Sequence, residues 1–261
     1  MTSERGESGA GTIPLLCGLV FLSGASALIY QLLWLRLLGL VFGVTVHAAS
    51  TVLASFMAGL AIGSYATGRI ASRIRRPMLW FAAAESLIAL TALLTPWALD
   101  ALQAVYRSLH HALPQSMAAL TVARFGTSFL ALLVPTSLMG ATLPIVMKSA
   151  LTRRSTSGNS FGLLYAANTG GAIFGALSAG LWLIPAAGIR RTFIVAAAAN
   201  LTAAVVAALV GRTAPAVADS TEPIDVGLMQ KNWTPARGVW CWQCSRFRAS
   251  PRSRSRWCGF V

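Results

Sequence analysis

The sequence predicts an all-α fold, a polytopic transmembrane bundle of about six helices, and three observations predict it. Apolar residues make up 56% of the 261 positions and charged residues only 11%, where soluble domains average about 25% charged. The apolar residues gather in runs of the length that crosses a hydrocarbon layer, about 20 residues for about 30 Å. None of these runs keeps the period-2 alternation of an outer-membrane strand, so helices are the form that satisfies the backbone in lipid. A water-soluble globule is excluded. The formal charge of +14 raises nucleic acid as a partner. A mean hydropathy of +0.66 shows instead that the basic residues punctuate an apolar chain, so the expected partner is the lipid bilayer and no nucleic acid is expected.

The first expected span, Ile13 to Leu35, follows a polar leader and ends at Arg36. The second, Thr45 to Ala66, ends at the basic stretch Gly68 to Arg76, and the third, Met78 to Leu99, lies between Pro77 and Asp100. The fourth, Ala119 to Val146, stops before Lys148; the fifth, Phe161 to Ile184, stops at Pro185; the sixth, Thr192 to Val210, follows Arg190 and Arg191. Ala25-Ser26-Ala27 matches a signal-peptidase pattern. Against cleavage, Glu4 and Glu7 outweigh Arg5 in the leader, and the apolar run continues past the cut.

Lys and Arg near span ends are retained in the cytoplasm. Arg69, Arg73, Arg75 and Arg76 fall in one loop and Lys148, Arg153 and Arg154 in another of the same side, while the opposite loops hold Arg36, Arg107, Arg190 and Arg191. Both chain ends are therefore expected in the cytoplasm. Trp34, Trp97 and Trp182 are expected at outer headgroup level and Trp80 at the inner one.

Small residues four apart let helix backbones approach closely, and Gly59/Gly63 and Gly171/Gly175 have that spacing. They are read as packing positions. Gly170 to Gly175 lacks the G-x-G-x-x-G order, the preceding strand and any Lys of a phosphate loop. Glu85 is the one acid well inside a span and has two readings: a structural ion pair with Lys148 or a loop arginine, and a ligand or transport site. Gln31, Asn168 and Asn200 place amides within spans, where they hydrogen-bond between helices or meet a ligand. Pro135 and Pro144 are expected to kink or break the fourth span. His47, His110 and His111 form no ligand cluster with thiols or carboxylates, so no metal site and no cofactor are expected.

Four ordered segments carry a family resemblance. They are Leu22-Ser23-Gly24-Ala25-Ser26-Ala27-Leu28-Ile29-Tyr30-Gln31-Leu32-Leu33-Trp34-Leu35-Arg36, the run Thr51 to Ser64 ending Phe56-Met57-Ala58-Gly59-Leu60-Ala61-Ile62-Gly63-Ser64, Leu138-Met139-Gly140-Ala141-Thr142-Leu143-Pro144, and Leu164-Tyr165-Ala166-Ala167-Asn168-Thr169-Gly170-Gly171-Ala172. Over residues 13 to 212 the chain resembles the membrane-fused spermidine synthases of bacteria. The resemblance implies an inner-membrane domain related to major-facilitator transporters, joined in that family to a cytoplasmic aminopropyltransferase domain with a Rossmann-like fold. That domain uses decarboxylated S-adenosylmethionine and acidic residues that hold the amines. This chain has no Asp or Glu after Asp225, so no catalytic residue is carried over, and a truncation before the seventh span and the soluble catalytic domain is expected. The stretch Gly68 to Arg76 resembles the transporters' basic loop, with Ser72 where an Asp is usual.

The expected organisation is a membrane domain over residues 1–212, a cytoplasmic linker over 213–238 and a basic, unstructured tail over 239–261. Cys241, Cys244 and Cys258 are one ligand short of a zinc site, and Arg246, Arg248, Arg252, Arg254 and Arg256 accompany them. The tail reads as a frameshift product. Back-translation from the third base of the Trp240 codon permits the apolar peptide VLAVFALSGFASLALEVVWFR, whose LSG and closing W-x-R match Leu22-Ser23-Gly24 and Trp34-Leu35-Arg36, as an internal repeat would. The functional expectation is a membrane domain without aminopropyl transfer of its own. The alternatives are a transporter-like module for a polyamine or other small solute, with Glu85, Gln31 and Asn168 as binding candidates, and a membrane scaffold for a separate synthase domain. A helix–helix oligomer is also open.

Overall fold

Every peptide N–H and C=O that enters hydrocarbon has to find its partner inside the protein, and this chain meets that demand with helices over nearly all of its described length. The computed structural model describes residues 12–42, 45–109, 117–152 and 158–213. The elements are α1 (Thr12–Phe42), α2 (Thr45–Ile70), a 3₁₀ turn (Ala71–Arg73), α3 (Pro77–Leu109), α4 (Met117–Thr152), α5 (Gly158–Ser178), a π turn (Ala179–Leu183) and α6 (Ile184–Thr213). The linker and the Trp/Cys/Arg tail, with the frameshift reading, lie outside the described residues.

Five helical stretches are long and apolar enough to cross a membrane, and the last of them runs 54 residues from Ser160 to Thr213. At 1.5 Å per residue, that length is more than twice a bilayer core. Gly188 divides it. Its φ of 75° and ψ of 170° lie in a region that only glycine enters freely, and the turn it makes falls in the gap expected between the fifth and sixth spans. Among the described residues α5 and α6 do not pack on each other; each packs on α1. The all-α, multi-pass class is the one observed.

The helices extend beyond the apolar runs that announce them. α1 continues past Arg36 to Phe42, which leaves Trp34 about 12 Å from the helix end. Trp34 is consequently not at headgroup level: it is fully buried, stacked on Tyr30 with ring centroids 5.9 Å apart. Trp80, Trp97 and Trp182 are exposed on the bundle's outer face. α3 opens at Pro77, where a missing N–H costs nothing, and the Arg76 carbonyl accepts the N–H groups of Leu79 and Trp80.

α4 is not broken at its prolines. It is one continuous helix that carries both Pro135 and Pro144. Proline lacks the N–H that would reach the carbonyl four residues back, so Pro144 leaves the Gly140 carbonyl without its helical donor. Ser64 of α2 supplies one instead, its Oγ donating to Gly140 O at 2.8 Å. Beside Pro135, the Thr136 hydroxyl donates to Leu132 O at 2.8 Å and reaches across to Ser55 O of α2 at 3.2 Å. Hydroxyls of this kind re-satisfy helices around proline in lipid.

Two close seams hold the bundle. α2 lies along α4, and α1 lies along α5. A Cβ placed at Gly59 or Gly63 would collide with Thr136 or with the Ser137 carbonyl, and one at Gly171 or Gly175 with the backbone of Phe21 or Ala25. Gly24 likewise faces Asn168, and Gly140 faces the Leu60 backbone. Backbone approach of this kind replaces the hydrophobic effect, which gives no drive between helices already in lipid. The core divides into two apolar clusters at different depths. One joins Leu16, Leu19, Val20, Met78, Phe81 and Ala204, the other Tyr30, Leu33, Trp34, Ile88, Leu132 and Phe193. Large apolar side chains exposed along every described helix, among them Leu53, Met57, Leu90, Leu130, Phe174 and Val205, suit a lipid bilayer.

Candidate functional site

Between the two apolar clusters lies a polar layer, and Glu85 is its centre. In α3 the residue follows Phe81 and Ala82 of the first cluster and precedes Ile88 of the second. It stands eight residues, more than two turns, inside the helix start at Pro77. Ser23 and Ser26 of α1 and Asn200 of α6 are buried as well, and like Glu85 they fall between members of the two clusters along their helices. Ser26 Oγ donates to the Ser23 carbonyl at 2.9 Å, a bond within α1 that leaves the facing groups unserved. Leu79 lies against Gly211, and α6 meets the clusters in the reverse order, Phe193 of the second before Ala204 of the first, so α3 and α6 are antiparallel. Counted from that contact at 1.5 Å per residue, Glu85 is about 9 Å and Asn200 about 16 Å into the bundle.

Glu85 is 0% exposed, which removes the snorkelling geometry. Neither of its carboxyl oxygens completes a hydrogen bond with any described residue, although the Ser23 side chain lies within reach of influencing it. The expected pairing with Lys148 is not seen: Lys148 Nζ donates to the Ala71 carbonyl at the end of α2. Tyr30 is within electrostatic range of Glu85, and its hydroxyl also lacks a hydrogen-bond partner, as do Trp34 Nε1 and both polar atoms of the Asn200 amide. Native proteins rarely leave buried polar groups unpaired, and those that do so in a cluster are functional candidates. Three rings wall one side, Tyr30 lying 5.9 Å from both Trp34 and Phe193.

The other sequence-derived candidates sit elsewhere. Ser23 and Tyr30, seven residues apart, share the face of α1 turned toward Glu85, whereas Gly24 belongs to the seam with α5, where Asn168 packs against it. Gln31, seven residues after Gly24 and half-buried, follows that second face. The structure therefore divides the candidates between two faces of α1. Gly59 and Gly63 occupy the α2/α4 seam, and Gly171 and Gly175 the α1/α5 seam. Tyr30 and Ser23 were not singled out from the sequence. Their signal was a hydroxyl at i and i+7 of one helical face in an otherwise apolar run. Among the described residues, no group of three His, Cys, Asp or Glu could hold a metal ion.

A second polar feature lies at the basic end of the bundle. Arg73, Arg75, Arg76, Leu79, Trp80 and Ala83 line an open cleft of about 640 Å³. Nearby, the Arg69 guanidinium lies 4.8 Å above the Tyr65 ring, a cation–π distance.

No family model, curated protein or solved structure matches the chain.

Proposed function

We propose that this integral membrane chain is the equivalent of the membrane domain of a fused spermidine synthase and transfers no aminopropyl groups itself. The observation that supports this reading is the pairing of the four segments that carry the resemblance. The segment around Gly24 meets the one around Asn168 and Gly171, and the segment around Gly59 and Gly63 meets the one around Gly140. Four stretches far apart in sequence thus make both close seams of one bundle. Residues that build packing of this kind specify a membrane scaffold rather than reaction chemistry. Assay of the purified chain with putrescine and decarboxylated S-adenosylmethionine tests the proposal: negligible turnover is expected, and substantial turnover defeats it.

A second reading, a transporter-like module for a polyamine or other small solute, is favoured by one observation, the buried Glu85 carboxyl without a described hydrogen-bond partner, at a position of α3 between the two apolar clusters. Uptake of labelled putrescine into proteoliposomes separates the two. Uptake lost in Glu85→Gln supports transport, and equal, negligible uptake by both proteins removes it.

A further inference from the structure

The cleft at the start of α3 joins two chemistries along one helical stripe. Arg76, just before α3, and Leu79, Trp80 and Ala83 within it are spaced i, i+3, i+4 and i+7, so they follow a single helical face over about 10 Å. Its upper end carries guanidinium groups, with Arg73 and Arg75 of the preceding segment completing the lining, and no carboxylate among the described residues lines it. Its lower end is apolar. Trp80 is 52% exposed there, and Leu79 is set in place by Gly211 of α6. A soluble anion would use the arginines and leave the stripe below them idle. An amphiphile with a phosphate at one end and a hydrocarbon chain at the other fits both.

We propose that this cleft holds the headgroup of an anionic phospholipid, its phosphate against Arg73 and Arg76 and one acyl chain along Leu79, Trp80 and Ala83. Guanidinium forks bind phosphate oxygens through paired hydrogen bonds, which gives position as well as attraction. The guanidinium groups of Arg73 and Arg76 select an anionic headgroup over a zwitterionic one, whose ammonium they repel. The indole ring of Trp80 sits at the level where the acyl chain leaves the headgroup, the depth that tryptophan favours in membranes. The site needs the membrane surface and the arginines at once, which separates it from nonspecific attraction to the chain's net charge.

Native mass spectrometry of the detergent-purified full chain tests this, with phosphatidylglycerol and phosphatidylcholine of identical acyl chains titrated separately. Retention of phosphatidylglycerol is expected to exceed that of phosphatidylcholine by about tenfold, and the Arg73→Gln/Arg76→Gln variant to lose most of that preference, at roughly a few-fold per charge. Ala83→Trp fills the stripe without altering charge and is expected to weaken retention as well. It decides the matter if the arginine variant does not fold. Arg190→Gln/Arg191→Gln removes the same charge elsewhere and is expected to leave retention unchanged. Equal retention by the wild type and both cleft variants overturns the proposal. So does an equal loss in the Arg190/Arg191 variant, which marks bulk electrostatics, or displacement of the lipid by millimolar inorganic phosphate, which marks a soluble-anion site.

Discussion

Ser64 of α2 donates its hydroxyl to the Gly140 carbonyl of α4 at 2.8 Å, the carbonyl that Pro144 cannot serve. A proline defect in one helix is thus repaired by a side chain of its neighbour, and the repair falls within the seam where Gly63 and Gly140 bring the two backbones together. The close approach and the hydrogen bond depend on each other. Without glycine at these positions the serine would not reach, and without the serine the seam would bury an unpaired carbonyl.

Ser64→Ala is therefore expected to lower stability by about 1 kcal/mol, the scale of an interhelical hydrogen bond in a membrane bundle. Pro144→Ala returns the N–H to Gly140 and is expected to make the same Ser64→Ala change nearly neutral. A double-mutant cycle read by unfolding in mixed micelles measures the coupling. Additive effects of the two substitutions would show that Ser64 and Pro144 act independently.

Adjacent glycines in α5 give a sharper contrast. A Cβ at Gly171 would strike the Phe21 carbonyl, whereas one at Gly170 meets only an edge of the Phe21 ring at 4.0 Å. Gly171→Ala is expected to cost about 1–3 kcal/mol through forced separation of the backbones. Gly170→Ala is expected to be neutral or slightly stabilising, because alanine is the better helix former. Thermal denaturation of the two variants in one detergent makes the comparison, and equal melting temperatures would contradict the close seam between α1 and α5.

The helical class and the membrane-length stretches were legible because apolar runs of bilayer length carry their own signal, and the Gly59/Gly63 and Gly171/Gly175 spacings marked positions that lie on the two close seams. Three features were not legible, each for a physical reason. Trp34 was expected at a headgroup, yet in a helix apolar on all sides nothing in the periodicity separates the face toward lipid from the face toward the bundle. Pro135 and Pro144 were expected to kink or break α4, and that the helix is unbroken was not legible, because the rule for proline considers one helix and the remedy at Gly140 comes from Ser64, 76 residues away. Glu85 was expected near an arginine or Lys148, since sequence distance to the basic loop is short. The side chain is instead fully buried, at a position of α3 between Phe81 and Ala82 of one apolar cluster and Ile88 of the other.

Tyr30 separates packing from polarity at that layer. Its ring stacks on Trp34 and lies tilted against Phe193, while its hydroxyl is buried without a partner among the described residues. Tyr30→Phe keeps the rings and removes the unpaired group, so it is expected to be neutral or to stabilise by about 1 kcal/mol. Tyr30→Ala is expected to cost about 3–5 kcal/mol through the cavity it leaves. Unfolding midpoints of the two variants provide the check, and a destabilised Tyr30→Phe would mean that the hydroxyl has a partner in the membrane.

Glu85 supplies the strongest contrast between stability and function. A buried carboxyl with no hydrogen-bond partner costs the fold its full desolvation, so Glu85→Met, apolar and of similar length, is expected to raise stability by about 1–3 kcal/mol. Proteins keep such a costly group where activity requires it. Measuring the melting temperature and putrescine uptake of the same Glu85→Met preparation tests both sides. A more stable protein that has lost uptake present in the wild type assigns Glu85 to transport. A more stable protein with wild-type behaviour makes Glu85 dispensable and leaves the scaffold reading standing. A destabilised Glu85→Met would show that the carboxyl is satisfied in the membrane, and the unpaired polar layer would then have to be abandoned as the basis for either role.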